Sequence, residues 1–96
     1  MKLTDRYNLD SITNRSQQLV HAAVARLLED GTGVCRCPEC VADLVAWTLN
    51  HVTPRYATSL LAAIEPDEKL ERRIGLEIEL ALRAGLERLR QHPHHG

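Results

Sequence analysis

Three thiols, Cys35, Cys37 and Cys40, stand within six residues in the stretch "VCRCPECVADLVAWTLNHVTPRYA" at 34–57, and they are the only cysteines of the chain. A disulfide between Cys35 and Cys37 would close a very small, strained ring. A catalytic thiol would need a lowered pKa and a basic partner, and no histidine stands at an obvious local spacing. Convergence of the thiolates on one soft-ligand ion is the stronger chemistry, with Zn²⁺ the metal that sulfur selects in a reducing compartment. A closed site needs a fourth ligand. Asp43, His51, His21, a water or a residue of a second subunit are the candidates. Packed, unliganded thiols and a redox role are the competing readings. Nothing local supplies the general base and substrate pocket of a zinc hydrolase, so the expectation is a structural site and not an enzyme.

The elements around the cysteines must hold them. The chain has 96 residues, enough for a single domain with a thin core. Hydrophobic residues make up 44% of it but aromatics only 3%, so Leu, Val, Ile and Ala must build the core, which favours helices. Such small helical domains often finish their core on a partner, and self-association as a homodimer is expected. A net charge of -1 argues against a protein that grips long DNA. "MKLTDRYNLD" lacks an apolar leader and no run is long enough to span a bilayer, so a cytoplasmic protein is expected.

The pattern predicts an all-α fold, a small four-helix domain with the Cys-x-Cys-x2-Cys knuckle between helices 1 and 2. Residues 1–10 form a polar N-terminal arm. Asn14 with Gln17 resembles a capping box for the first helix, whose Leu19, Val20, Ala23, Val24, Leu27 and Leu28 recur on one face. Gly31 and Gly33 end it. Pro38 fits the first turn of a second helix running to about Asn50, apolar around most of its girth. Thr53 caps a short third helix with Pro54 at its first position, through Tyr56, Leu60, Leu61 and Ile64. The fourth covers roughly 66–90. Its Gly75 and Gly85 are explained either by close approach of another helix or by simple tolerance. Residues 92–96, "HPHHG", read as a disordered tail without function.

The stretch "CRCPECVADLVAWTLNHVTPRY" resembles the signature of the late competence protein ComFB family. Cys35, Cys37, Cys40, Asp43, Ala46, Leu49, Asn50, Pro54 and Tyr56 match that pattern in order. The resemblance covers Asn14 to Tyr56, and the last third of the chain is not diagnostic. One departure is Thr53, where the family usually carries a first proline, which should loosen the turn slightly. The resemblance implies a small helical dimer with zinc on the cysteines. It also implies a receptor for cyclic dinucleotides, cyclic di-GMP foremost and cyclic di-AMP second, that acts through a protein effector.

A ligand with two phosphates and two purines needs Arg forks and planar groups. Arg55 and Tyr56 on the stiff turn after the second helix are the first candidates. Asn50, Arg72 and Arg73 follow, with Lys69, Arg6 and Arg15 as further cations. Each has a plainer reading: Asn50 as a helix C-cap, Tyr56 as a core residue with a wet hydroxyl, and Arg72 and Arg73 as a solvated face paired with glutamates. Trp47 reads as core or dimer interface. The alternative function is a zinc-stabilised adaptor that binds no nucleotide.

Overall fold

The computed structural model describes residues 1–31 and 33–91, and the tail at 92–96 lies outside the described residues. A 3-10 turn at Leu3–Asp5 is followed by β1 (Thr13–Asn14), α1 (Arg15–Glu29), α2 (Pro38–Asn50), β2 (Tyr56–Ala57), α3 (Ser59–Ile64) and α4 (Glu68–Gln91). The described residues are mostly helical, with four α-helices among them. α2 is the central element, since both α1 and α4 pack on it.

Two features correct the all-α expectation. The 3-10 turn in the polar arm adds a helical element, so in chain order the cysteine cluster falls between the second and third helical elements. Apolar periodicity could not reveal that turn, because the arm buries nothing. The second feature is a ribbon: β1 pairs antiparallel with β2, Thr13 opposite Ala57 and Asn14 opposite Tyr56.

That ribbon also displaces the third helix. Pro54 through Tyr56 are not helical; Thr58 caps α3, its side chain accepting from the Leu61 N–H. Proline breaks the chain as expected, but the residues after it find backbone partners in the distant β1, and so extend instead of coiling.

The other helix boundaries follow local rules. Asn14 caps α1 by accepting from the Ser16 N–H at 3.1 Å. Gln17 makes no return bond, so the capping box is half formed. Gly31, at φ 64°, turns the chain out of α1 in the left-handed region that glycine tolerates. Asp67 accepts from the Leu70 N–H at 3.0 Å at the start of α4.

The core joins three helices: Val20 and Val24 of α1, Leu44 of α2, and Ile74 and Ile78 of α4. Burying each such side chain contributes roughly 1.5–3 kcal/mol before entropy is charged against it. Leu19, Ala23, Leu27 and Leu28 pack at its margin, as their spacing predicts. α2 is less enclosed than its composition suggests, because Ala42 and Ala46 face outward. Buried polar groups are satisfied: Ser16 donates to the Thr53 carbonyl and Thr48 donates to the Leu44 carbonyl at 2.8 Å.

The two helical glycines differ. A Cβ on Gly85 would stand 2.6 Å from Trp47 Cδ1 and 3.2 Å from Leu44 Cδ1, whereas one on Gly75 would meet nothing within 4 Å. Close helix approach therefore explains Gly85, and the approaching helix is this chain's own α2. Trp47 lies against Gly85, and its indole N–H donates to the Ala81 carbonyl at 3.1 Å.

Candidate metal centre and the opposite corner of α2

The thiols gather where α1 hands over to α2. Cys37 is the N-cap of α2 and its sulfur accepts from the Cys40 N–H at 3.4 Å. Pro38 takes the first helical position, where its missing N–H is no loss. That cap turn places Cys40 one turn in, beside Cys37, and Cys35 closes the group. The three sulfurs lie within 4.8 Å of one another. A tetrahedral ion with sulfur ligands at about 2.3 Å spaces them roughly 3.8 Å apart, so a small contraction suffices. Soft donors, near-tetrahedral spacing and a helix N-terminus together fit zinc. When bound, zinc would supply a cross-link between the segment after α1 and the start of α2. Cys35, Cys37 and Cys40 would hold it.

Packing the three thiols this close raises the affinity of Cys40 for its proton. The Cys40 thiol is pushed up to about 12, first by hydrogen bonding to Cys37, then by the bond to Cys35, with partial desolvation adding to both. A cation has to replace the protons for the full thiolate set to form. Beside the thiols, Arg36 donates to the Leu28 carbonyl at the end of α1, tying the knuckle to that helix.

At its other end α2 passes into a corner wired by protein groups. Asn14 Oδ1 accepts from both the Ser16 and the Arg55 N–H, the latter at 3.0 Å. The Arg15 N–H donates to the Arg55 carbonyl at 2.7 Å. Glu77 of α4 accepts from the Thr53 N–H at 2.9 Å and from its hydroxyl at 3.1 Å. These bonds from the Thr53 backbone, ahead of the Arg73 charge, hold the Glu77 carboxyl below its ordinary value.

The five candidate ligand residues are only partly brought together. Arg55 is half-buried, donating to the Glu65 carbonyl at 2.7 Å, and lines a cleft of about 480 Å³ with Arg15, Gln18, Thr58 and Glu71. Tyr56, the first residue of β2, is 62% exposed and lines a different cleft with Asn14, Gln17 and His21, because adjacent residues of an extended segment face opposite ways. Asn50 is exposed as the last residue of α2; His51, not Asn50, is the C-cap. Arg73 pairs with Glu77 at 3.6 Å and so borders the Thr53 turn. Arg72 is exposed and belongs to neither cleft. Arg15 bonds Glu71 at 2.6 Å, which sets a carboxylate against the cation in the larger cleft.

Asn14 and Glu77 organise this corner, and the sequence pattern singles out neither for that task. Asn14 carries a cap signal that does not disclose its second bond. Glu77 reads as one acid on a charged helix. His51 had a visible signal, its i,i+4 spacing from Trp47: the rings stack with centroids 4.2 Å apart, and His51 Nδ1 lies 2.6 Å from the Trp47 carbonyl.

The family model of the Late competence development protein ComFB matches residues 13–93. The chain belongs to the ComFB family. The match extends through α4, well past the region of the cysteine signature, and makes this a small protein of a competence-related family. No curated protein and no solved structure matches the chain. Among the described residues no helix is long and apolar enough to cross a membrane.

Proposed function

We propose that this ComFB-family chain is a zinc-stabilised, cytoplasmic signalling protein that works as a homodimer. In this reading it binds a cyclic dinucleotide, cyclic di-GMP foremost, and passes the bound state to a protein effector. The observation that carries the metal part is the convergence of three sulfurs within 4.8 Å at a helix N-terminus. Support for the nucleotide part is the rigid Arg55–Tyr56 turn, fixed by Asn14, Arg15 and Glu77 bonds before any ligand arrives. Fixing the backbone that carries Arg55 and Tyr56, whose side chains line separate clefts, reduces the ordering cost of binding. Arg55 would serve phosphate, Tyr56 a purine face, and Asn50, Arg72 and Arg73 the flanks. In a dimer two copies of each would meet a twofold ligand.

Calorimetry of the zinc-loaded protein with cyclic di-GMP and cyclic di-AMP tests this. Saturable binding that R55A weakens by about tenfold or more, ~1.4 kcal/mol, is expected. No binding by the folded, metal-loaded chain rejects it.

One observation favours the second reading, an adaptor without a nucleotide. Leu60 and Ile64 of α3 and Leu76 and Leu80 of α4 are each more than 60% exposed. Such apolar surface suits protein contact, and Glu71 already answers Arg15 in the larger cleft. Co-purification of a partner with no effect of either nucleotide would establish the adaptor.

A further inference from the structure

We propose that the two clefts at the β1–β2 ribbon form one bipartite nucleotide site. The larger takes phosphate on Arg15 and Arg55, and the smaller takes the base on Tyr56, with His21 and Gln17 reading its edge. The inference rests on the nucleotide reading above and deepens it. Thr13 and Gln18 line both clefts, so the two are neighbours across a shared wall. Their volumes are about 480 and 320 Å³, within the roughly 300–1,000 Å³ that small ligands occupy. Arg55 and Tyr56 face opposite ways, which would defeat a single pocket. The same arrangement suits a ligand that carries its phosphate and its base at different ends.

Charge shows why the smaller cleft is needed. Asp67, Glu68 and Glu71 line the larger cleft against the two guanidinium groups, and Glu71 already pairs with Arg15 at 2.6 Å. Coulomb attraction there is offset, so phosphate contact alone would hold an anion weakly. Donors nonetheless remain. A guanidinium carries five N–H groups, whereas among the described residues Arg15 bonds Glu71 and Gln18, and the Arg55 side chain bonds the Glu65 carbonyl. The smaller cleft adds what the larger lacks. Gln17 and His21 stand one turn apart on α1, both exposed, and line that cleft with the exposed Tyr56. A phenol ring offers a stacking face, and stacking accepts any purine. Imidazole and carboxamide groups can both donate and accept hydrogen bonds, the two functions that tell one purine edge from another.

Calorimetry of the full, zinc-loaded chain with cyclic di-GMP and with cyclic di-AMP separates the two halves, with helix content of each variant checked by circular dichroism. Arg55→Ala should weaken both nucleotides about tenfold and leave the ratio of their affinities unchanged, because both carry the same phosphates. Tyr56→Ala should weaken both by about tenfold or more, and Tyr56→Phe, which keeps the ring, should recover most of that loss. His21→Ala and Gln17→Ala should shift the ratio by roughly threefold or more, since they meet the base edge alone. Full affinity in Tyr56→Ala, or an unmoved ratio in both edge variants, would overturn the inference. A loss in Arg55→Ala alongside either result would leave the receptor reading standing. No binding of either nucleotide by the wild-type chain would overturn both.

Discussion

The two ends of α2 present opposite solutions to the same problem, how to hold a corner between helices. At the C-terminal end, protein groups do everything: Asn14, Ser16 and Glu77 satisfy the backbone of Thr53 and Arg55. At the N-terminal end, three thiols crowd together, and Cys37 and Cys35 raise the hold of Cys40 on its proton. The first corner is complete as folded. The second gathers three soft donors that could hold a metal ion, and on the zinc reading its stability would be linked to that metal.

Metal removal should separate the two ends most strongly. Zinc held a thousandfold above its dissociation constant adds about 4 kcal/mol. At about 4–8 °C per kcal/mol for a domain of this size, EDTA should lower the melting temperature by ~15 °C or more. Calorimetric scans with and without chelator measure this, and hydrogen exchange should quicken at residues 35–41 before residues 53–57.

Glu77→Ala strikes the other end. It leaves the Thr53 N–H without its acceptor in a half-buried place, a loss of about 1–3 kcal/mol in urea denaturation. Because the folded Glu77 carboxyl is held low, its contribution is full above its ordinary value of 4.5 and disappears as pH falls through the lowered folded value. The gap between wild type and Glu77→Gln should therefore narrow on acidification, as stability measured across the acid range up to neutrality would show. Asn14→Ala removes a cap and the Arg55 bond together, and should cost about 1–2 kcal/mol without altering zinc affinity.

Two glycines in α4 sharpen the comparison by sign. Gly85→Ala drives a methyl into Trp47 and should destabilise by about 1–3 kcal/mol. Gly75→Ala enters open space and should stabilise by roughly 0.5–1 kcal/mol. Equal effects at both sites would refute the packing described for Trp47.

How legible the molecule was depends on the range of the forces involved. Pro38, Gly31 and Asn14 marked helix ends because caps and turns are local, and the spacing of Val20, Val24, Ile74 and Ile78 marked the core. The cysteine cluster was legible for the same reason, since six residues suffice to build it. The start of α3 was not, because pairing of Tyr56 with Asn14 joins segments that no local window spans. Glu77 was hidden by its neighbours: on a helix bearing Glu71, Arg72, Arg73 and Glu79, nothing marks the one carboxylate that turns inward. Arg55 and Tyr56 are adjacent in sequence yet face different clefts, a consequence of extended backbone entering β2 where the sequence predicts a helix.

Native mass spectrometry of the full chain, purified under reducing conditions and supplied with zinc, tests the central claim most directly. One zinc per chain, displaced when Cys37 or Cys40 is changed to serine, is the predicted result. A metal-free species with its helices intact, or a mass two hydrogens lower from an oxidised pair of thiols, would contradict it.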